Sequence, residues 1–289
     1  MESYLLMQGL FNGLMLGMFY ALIALGLSLI FGIMGIVNFA HGEMYMIGGY
    51  IAYYITGRLG MNFFVALIAA ILFVGLIGII LEKGIFRHLA KGPNMEVTSL
   101  IAALGLAWIF QILTVIFFGE LDKNVPSAFP GIIRIAGVTF TYQRIAAIIF
   151  GAVLILLLNL FLLRTKTGMA IRAVAQDEEG AVLQGVQANR INALSFGIGC
   201  SLAGASGVLM SPVFGINPFS GHGVILKAFL VVILGGMGSI PGALLGGIVL
   251  GIIESFGNLF FRMPVVSVLT FVIILAILIF KPEGLMGRA

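Results

Sequence analysis

Charged residues are scarce in this chain of 289 residues, which contains 15 Lys and Arg and 11 Asp and Glu, or 9% of its positions. Soluble globular domains carry about 25%. Hydrophobic residues make up 61% of the chain, and glycine fills another 40 positions. A soluble fold of this size still exposes about a quarter of its unfolded surface, so it could not hide that much apolar material. The composition excludes a water-soluble enzyme, a nucleic-acid-binding domain and a disordered chain, and it requires lipid as solvent.

Residues that bind metals or nucleotides are equally scarce. Cys200 is the only cysteine, which excludes an internal disulfide and a cysteine-based metal site. His41, His88 and His222 lie far apart in the sequence, and the pair His41 and Glu43 supplies too few ligands for a metal. The chain also lacks the Gly-x4-Gly-Lys-Ser/Thr phosphate loop. We therefore expect no metal, no cofactor and no ATP hydrolysis by that route in this chain.

Long apolar runs fill most of the sequence. A membrane-spanning helix needs about 20 mostly apolar residues, and barrel strands would instead alternate polar and apolar positions. We predict an all-α polytopic membrane protein, a single transmembrane domain over 1–289 with eight or nine transmembrane helices, since two of the candidate runs are short. The candidate runs are Leu5–Phe31, Ala40–Thr56, Asn62–Leu81, Val97–Phe118, Ile145–Leu163, Ile191–Pro212, Gly223–Leu234, Gly242–Phe261 and Val265–Phe280.

Basic residues in the loops predict the orientation, because Lys and Arg concentrate on the cytoplasmic side of membrane proteins. Segments 82–96 and 164–190 and the C-terminal tail are placed in the cytoplasm on this basis. Their basic residues are Lys83, Arg87, Lys91, Arg164, Lys166, Arg172, Arg190, Lys281 and Arg288. The loop 119–144 is the exception, since it places Lys123, Arg134 and Arg144 outside, where Arg58 and Arg262 would also lie. The N-terminus is outside for nine crossings and inside for eight.

The loop 164–190 is the longest strongly charged stretch. It contains the acidic cluster Asp177-Glu178-Glu179, and its small and apolar residues recur at a spacing of three to four, which predicts short surface helices. One interpretation is a solvated connector between two spans. We prefer a docking platform for a cytoplasmic partner, because a polar loop this long in a tightly looped chain is usually functional.

Two polar, glycine-rich stretches near 32–43 and 235–242 interrupt the apolar runs and predict broken or re-entrant helices. The second contains Pro241, through which a helix does not normally pass unbroken. At a constant offset, Gly32, Met34, Gly35 and Ala40 match Gly235, Met237, Gly238 and Ala243. Interrupted segments in both halves of a transporter indicate repeats around a central pathway. Close helix packing is the alternative explanation for any single glycine.

Two further motifs favour other functions. Gly204-Ala205-Ser206-Gly207 is similar to the serine motif of rhomboid intramembrane proteases, with His222 as the possible base; small residues at this spacing are more typical of helix packing. Lys227 and Glu254 are ionisable residues inside apolar runs, where they indicate either helix-to-helix contacts or a proton relay in a stand-alone secondary transporter. The small number of such carboxylates counts modestly against the relay.

The residues at the first break carry a resemblance to a known family. Gly26-Leu27-x-Leu29-Ile30-Phe31-Gly32-x2-Gly35-x2-Asn38-Phe39-Ala40-His41-Gly42 resembles the branched-chain amino acid permeases of ATP-binding-cassette importers, of the LivH type. The run 235–243 is similar to the same family, and so is the stretch 172–185. In that stretch Glu179-x5-Gly185 is similar to the importer coupling motif Glu-Ala-Ala-x3-Gly, with Gly180 in place of the first Ala. The resemblance covers nearly the whole chain.

The resemblance implies a permease subunit of the bacterial inner membrane that translocates amino acids, with branched-chain amino acids such as leucine, isoleucine and valine expected first. It implies a second homologous permease subunit, two cytoplasmic ATPase subunits that bind ATP and Mg, and a periplasmic amino-acid-binding protein as partners. Transport would proceed by alternating access, with segment 164–190 as the coupling loop. The related permeases also include carriers of other amino acids, amides or urea.

The same resemblance assigns roles to residues of this chain. The substrate pathway would be lined or gated at the two breaks by Asn38, Phe39, His41, Gly42, Glu43, Gly235, Gly238, Ser239 and Pro241. His41 and Asn38 would either hydrogen-bond the amino acid or brace the break. Coupling to the ATPases would use Asp177, Glu178, Glu179, Ala181 and Gly185.

Overall fold

The computed structural model of the protein describes residues 2–90, 92, 94–135 and 138–287, most of which are helical. Two π-helical segments, Tyr53–Arg58 and Glu82–Phe86, continue the second and third helices. The elements of the first half are α1 (Glu2–Met34), α2 (His41–Ala52), α3 (Phe63–Leu81), α4 (Arg87–Leu89), α5 (Met95–Phe118), β1 (Ile132–Ile135) and β2 (Val138–Thr141). Those of the second half are α6 (Tyr142–Arg164), α7 (Lys166–Gln176), α8 (Glu178–Leu183), α9 (Ala188–Phe214), α10 (Ser220–Gly235), α11 (Ile240–Phe260) and α12 (Met263–Phe280).

Seven helical segments of the described residues are long and apolar enough to cross a membrane. The expected eight or nine therefore exceeds the number of full-length candidates. The two remaining runs form α2 and α10, which have 12 and 16 residues. Both adjoin a predicted break, and neither is among the seven candidate spans.

Side-chain caps determine where several helices begin. The Oδ1 atom of Asn62 accepts a hydrogen bond from the Phe64 amide at 2.8 Å at the start of α3. Thr165 Oγ1 accepts one from the Gly168 amide at 2.9 Å and starts α7. Such caps satisfy amides that have no partner within the helix and contribute about 1 kcal/mol each.

Helices α1 and α9 form the centre of the bundle, and most of the residues in their apolar windows are buried. Helices α5 and α12 lie at the periphery with large side chains exposed, such as Trp108 on α5 and Phe271 on α12. An apolar surface of this kind is suited to lipid. The centre is therefore the part of the molecule in which polar groups are shielded from the bilayer.

Helices α1 and α11 pack antiparallel through small residues. A Cβ atom on Gly17 would lie 2.8 Å from the Cα of Ile248, and Gly9 near the start of α1 is next to Leu259 near the end of α11. A side chain on Gly17 would push the two backbones apart. Packing through small residues of this type is common between membrane helices, where close backbone approach replaces the hydrophobic effect as the attractive force.

These contacts define two ends of the bundle. The hairpin end contains the start of α1, the loop 119–144 and the turn between α11 and α12; the connector end contains segment 164–190, both breaks and the tail 281–287. Arg58, Lys123, Arg134, Arg144 and Arg262 share the hairpin end, as predicted. Lys83, Arg87, Arg164, Lys166, Arg172, Arg190 and Lys281 share the connector end. Lys91 and Arg288 lie outside the described residues.

The hairpin end contains the one strand pair of the described ranges, a small departure from an all-α fold. Strands β1 and β2 pair antiparallel, with Ile132 opposite Thr141. The hairpin is attached to α1 by reciprocal bonds: the Thr139 amide donates to Gln8 Oε1 at 3.0 Å, and Gln8 Nε2 donates to the Thr139 carbonyl at 3.2 Å. The hairpin thus fixes the loop 119–144 against the bundle.

Candidate functional site

The first break turns at Gly35 and Asn38. Gly35 has a φ of +64°, which disfavours a side chain, and it ends α1. The fully buried Asn38 accepts a hydrogen bond from the Ala40 amide at 3.1 Å through Oδ1. Its carbonyl accepts one from the His41 amide at 3.2 Å. Asn38 therefore braces the turn that starts α2, while its Nδ2 atom has no hydrogen-bond partner within the described ranges.

The start of α2 lies against the middle of α1. The His41 ring is fully buried, and its Nε2 atom is 3.2 Å from the carbonyl oxygen of Ile23. Ile23 precedes the end of α1 at Met34 by about three turns, a distance of roughly 16 Å. The segment after α1 therefore returns into the bundle before α2 begins, as the prediction of a re-entrant segment required.

Glu43 follows two positions later, in the first turn of α2. Its carboxylate is buried and rests against Gly221 of α10, where a Cβ atom would come within 2.7 Å of Glu43 Oε1. Gly42 packs against the backbone of Gly221 as well. The Phe39 ring, half-buried, lies 5.7 Å from the ring of Phe229. Phe39, Gly42 and Glu43 of the first predicted pathway set are therefore packed against α10, whereas His41 lies against α1.

The second break lies between α10 and α11. Gly236 and Gly238 have φ values of +101° and +79°. Ser239 Oγ accepts a hydrogen bond from the Gly242 amide at 3.2 Å and caps α11, so that Pro241 falls in the first turn of that helix. Proline is tolerated there because its missing amide would have no helical partner. The break is where the sequence predicts it, but the glycines form the turn and Pro241 belongs to the helix.

The C-terminal tail satisfies the end of α10. The amide of Leu285 donates to the carbonyl of Leu234 at 2.7 Å, and the amide of Met286 donates to the carbonyl of Gly235 at 3.0 Å. The last carbonyls of a helix have no partner within it. The tail therefore fixes the second break, a contact that the sequence did not indicate.

The two breaks touch each other. A Cβ atom on Gly32 would lie 3.1 Å from the Cα of Gly238 and 3.3 Å from its carbonyl oxygen. Gly235, Gly238, Ser239 and Pro241 therefore lie together at the connector end. His41 and Glu43 lie deeper in the bundle, so the structure does not gather all predicted pathway residues into one open space.

A cavity of about 510 Å³ lies elsewhere, between α1, α10, α11 and the ends of α2, α9 and α12. None of the predicted pathway residues is among the described residues that line it; Tyr45, two positions after Glu43, is the nearest in sequence. Its lining includes Asn12 and Arg144, where Arg144 Nη1 donates to Asn12 Oδ1 at 2.8 Å. The cavity is thus on the side of the bundle's middle toward the hairpin end.

Three polar side chains from three helices meet in the wall of this cavity. The Lys227 ammonium of α10 is 2.7 Å from Oε1 and 3.0 Å from Oε2 of Glu254 on α11. It also donates to the Tyr20 hydroxyl of α1 at 3.0 Å, and that hydroxyl donates to Glu254 Oε2. The sequence singled out Lys227 and Glu254 but not Tyr20, whose partners lie more than 200 positions away.

The connector folds into the short helices α7 and α8, as the sequence predicts. Asp177 caps α8, since its Oδ1 atom accepts a hydrogen bond from the Gly180 amide at 3.0 Å. A Cβ atom on Gly180 would meet the Asp177 carboxylate, which explains glycine at the position where the coupling motif has alanine. Glu178 and Glu179 are exposed in the first turn.

The far side of α8 presents apolar side chains away from the bundle. Ala181 is buried against the protein, whereas Val182 is 50% exposed and Leu183 is 85% exposed. Gly185 ends this projection; it has a φ of +85°, and a Cβ atom added to it would meet nothing within 4 Å among the described residues. Val182 and Leu183 thus form an exposed apolar pair at the charged connector end, outside the apolar spans.

The serine motif does not form a catalytic pair. Ser206 is fully buried in α9, and its Oγ atom has no hydrogen-bond partner among the described residues, His222 included. A serine nucleophile needs its base within hydrogen-bond reach. The neighbouring Gly207 packs against the backbone of Tyr45 on α2, so these small residues serve helix packing.

The fold and these sites define a polytopic helical membrane protein with two glycine breaks, a buried polar cluster and an exposed connector. The family described as branched-chain amino acid transport system / permease component matches residues 9–280. The chain therefore belongs to the branched-chain amino acid transport permeases, a family of transport proteins and not of enzymes.

Curated relatives agree with this assignment over most of this chain. The chain is 36% identical to the high-affinity branched-chain amino acid transport system permease protein BraD of Pseudomonas aeruginosa, covering 99% of this chain and 97% of that protein. It is also 36% identical to LivH of Escherichia coli, over 98% and 96% of the two chains. It is 25% identical to LivM of the same organism, over 94% of this chain and 68% of LivM.

A solved structure shares the fold at low sequence identity. PsaBC from Streptococcus pneumoniae in complex with Fab superposes with a TM-score of 0.54 at 13% identity, covering 94% of this chain and 91% of that chain. This likeness shows the fold alone.

Proposed function

We propose that the chain is a transmembrane permease subunit of an ATP-binding-cassette importer that moves branched-chain amino acids across the inner membrane by alternating access. The match to the permease family over residues 9–280 carries this proposal. Leucine, isoleucine and valine are the expected substrates. The chain acts as one permease unit over 1–289, with segment 164–190 as its coupling loop.

The connector end faces the cytoplasm in this proposal, and the C-terminus lies there with it. The basic residues of segments 82–90 and 164–190 support this orientation, because positive charge concentrates on cytoplasmic loops. The start of α1 and the tail lie at opposite ends of the bundle, which supports an N-terminus on the outside. The hairpin end then faces the periplasm and receives the substrate.

The partners are a second homologous permease, two cytoplasmic ATPase subunits and a periplasmic amino-acid-binding protein, with no nucleic acid. The similarity of the chain to both LivH and LivM of one organism supports a pair of related permeases. ATP and Mg are bound by the ATPase subunits, since this sequence has no phosphate loop of its own. The permease supplies the path and the ATPases supply the energy.

Helix α8 is the contact through which the ATPases act. Asp177 caps the helix and the buried Ala181 packs it on the bundle, while Val182 and Leu183 project from it. Glu178, Glu179 and Gly185 belong to the same contact surface. A partner that binds this surface more tightly in one transport state than in the other shifts the permease between states.

The paired breaks form the part of the pathway that rearranges. The first break contributes Asn38, Phe39, His41, Gly42 and Glu43. The second break contributes Gly235, Gly238, Ser239 and Pro241. The contact of Gly32 with Gly238 supports joint movement of the two breaks. A contact that forms and separates during the transport cycle would open the permease to one side at a time.

Isolation of the chain from its native membrane tests the assembly. We expect a complex that contains a second permease and two ATPase subunits and whose ATPase activity rises on addition of leucine-loaded binding protein. A chain that purifies alone, and that takes up leucine in vesicles with only an ion gradient, would overturn the proposal in favour of a stand-alone secondary transporter.

A further inference from the structure

The cavity at Lys227 and Glu254 has the chemistry of a site for a zwitterion with an apolar side chain. We propose that it binds the substrate amino acid, with the α-carboxylate on Lys227 and the α-ammonium on Glu254. This inference rests on the proposed function, because it assigns that function's substrate to a place in the molecule. Ligand sites of about 300–1,000 Å³ with mostly apolar walls and a few polar groups are the norm, and this cavity has about 510 Å³.

Lys227 and Glu254 can each exchange their contact with the other for a contact with a ligand. Both residues line the cavity; Lys227 has 31% of its side chain exposed and Glu254 has 6%, so the lysine is the more accessible partner. The Tyr20 hydroxyl bonds to Glu254 Oε2 and would keep the carboxylate in place when the ammonium turns to a ligand. A zwitterion has no net charge, so its entry leaves the cluster neutral. An ion with a single charge would leave one buried group unpaired, which is costly.

The remaining wall fits a branched aliphatic side chain. Apolar groups from four helices surround the charged cluster: Met15, Leu16, Phe19, Tyr45, Phe214 and Val224. They lie beside the charged pair, and so a ligand of amino-acid size can place its head group on the pair and its side chain on this wall. The same lining also includes the polar residues Asn12, Arg144, Ser220, Ser255 and Asn258, so the preference for an aliphatic side chain requires that side chain to lie against the apolar group.

The position of the cavity agrees with delivery from the hairpin end. Asn12 and its partner Arg144 line the cavity on the side of the hairpin end. Asn12 precedes Tyr20 on α1 by about two turns, a distance of roughly 12 Å. The contact of Gly32 with Gly238 lies on the opposite side of the cluster. A substrate on Lys227 and Glu254 would thus occupy a site between the entrance and the paired breaks.

Photo-cross-linking of the assembled transporter with a diazirine analogue of leucine locates the substrate without any mutation. We expect adducts on peptides that contain Phe19, Phe214 and Val224, and we expect excess leucine to suppress them. Adducts confined to 38–43 and 235–241, or adducts that leucine does not suppress, would overturn the assignment. Leucine uptake by the same preparation separates the two proposals: intact uptake with adducts elsewhere refutes this site alone, whereas absent uptake refutes the proposed function.

Two variants test the charged pair. Lys227→Met and Glu254→Gln should each lower the adduct yield at a fixed low analogue concentration by about thirtyfold or more, the usual effect of removing one partner of a buried charged contact. Glu82→Gln is the matched control, because Glu82 is also buried and pairs with Arg87 at 2.7 Å at the connector end. Equal losses in all three variants would refute a specific role for the pair.

Competition with leucinamide, which lacks the carboxylate, distinguishes a pair that binds the substrate from a pair that only holds helices together. The normal protein should prefer leucine to leucinamide, and Lys227→Met should lose most of this preference. An unchanged preference would show that Lys227 does not contact the carboxylate. The amount of each variant in the membrane serves as the check on folding. The cross-link positions come from the normal protein, so they test the site even if a variant does not fold.

Discussion

Gly32 and Gly238 are in contact across the two breaks, so that a Cβ atom on Gly32 would lie 3.1 Å from the Cα of Gly238. One residue comes from the end of α1 and the other from the turn before α11, and they are separated by most of the chain. Their contact joins two segments whose similarity is visible in the sequence only as a weak repeat. This contact is the structural reason to expect that the two breaks move together.

A side chain at this contact should prevent the breaks from closing. Gly32→Val forces backbone atoms apart, and overpacking of this type costs about 1–3 kcal/mol. We expect a strong loss of leucine uptake with the chain still present in the membrane, measured by initial uptake rates. Gly105→Val is the control, because a Cβ atom at Gly105 meets nothing within 4 Å among the described residues. Equal uptake by both variants would show that the contact is dispensable.

A bulky residue at Gly185 should uncouple the ATPases from the permease. Gly185 has a φ of +85° and open space around it, so Gly185→Arg strains the turn after α8 and enlarges the contact surface. Uptake should be abolished while the protein remains inserted. Gly119→Arg is a matched control, since Gly119 has a φ of +76° and equally open surroundings at the hairpin end. Normal uptake by Gly185→Arg would refute docking at this turn.

A charge on Leu183 should release the ATPase subunits. Leu183 is 85% exposed on α8, and burial of such a side chain in an interface contributes about 1.5–3 kcal/mol. Leu183→Asp should therefore lower co-purification of the ATPases by about tenfold or more. Leu121→Asp serves as the control, because Leu121 is 77% exposed at the opposite end. Retention of the ATPases by Leu183→Asp would mean that α8 is not their binding site.

Asn38 should become accessible only during transport. It is fully buried in this structure, so a cysteine at this position should resist polar thiol reagents at rest and react when ATP, partners and substrate are supplied. The native Cys200 is also buried, and replacing it with serine removes its signal. Protection of Asn38→Cys in every state would indicate that Asn38 only braces the turn.

The sequence is sufficient to predict the apolar segments, both breaks and the helical connector, because each depends on local composition. Other features depend on contacts that are distant in sequence. The role of Tyr20 cannot be predicted from the sequence, since a single tyrosine in an apolar run is ordinary until the fold brings its hydroxyl next to Lys227 and Glu254. Pro241 suggests a helix end, yet the turn is made by the preceding glycines and proline is accommodated in the first helical turn.

Neither the β-hairpin nor the capping of α10 by the tail is predicted from the sequence, and the reasons differ. The alternation of apolar and polar residues in Val138–Thr141 is a readable strand signal, but it is short and lies in a loop. The tail contact joins Leu285 to Leu234 through backbone atoms. Backbone bonds between distant segments leave no trace in residue identity, and so no sequence argument could have found this one.

Uptake of radiolabelled leucine by proteoliposomes tests the central claim most directly. The liposomes contain this chain with its second permease and the ATPases, with ATP inside and the binding protein outside. The account predicts accumulation of leucine that requires ATP and every partner, and that isoleucine and valine inhibit. Accumulation without ATP, or transport that branched-chain amino acids do not inhibit, would contradict it.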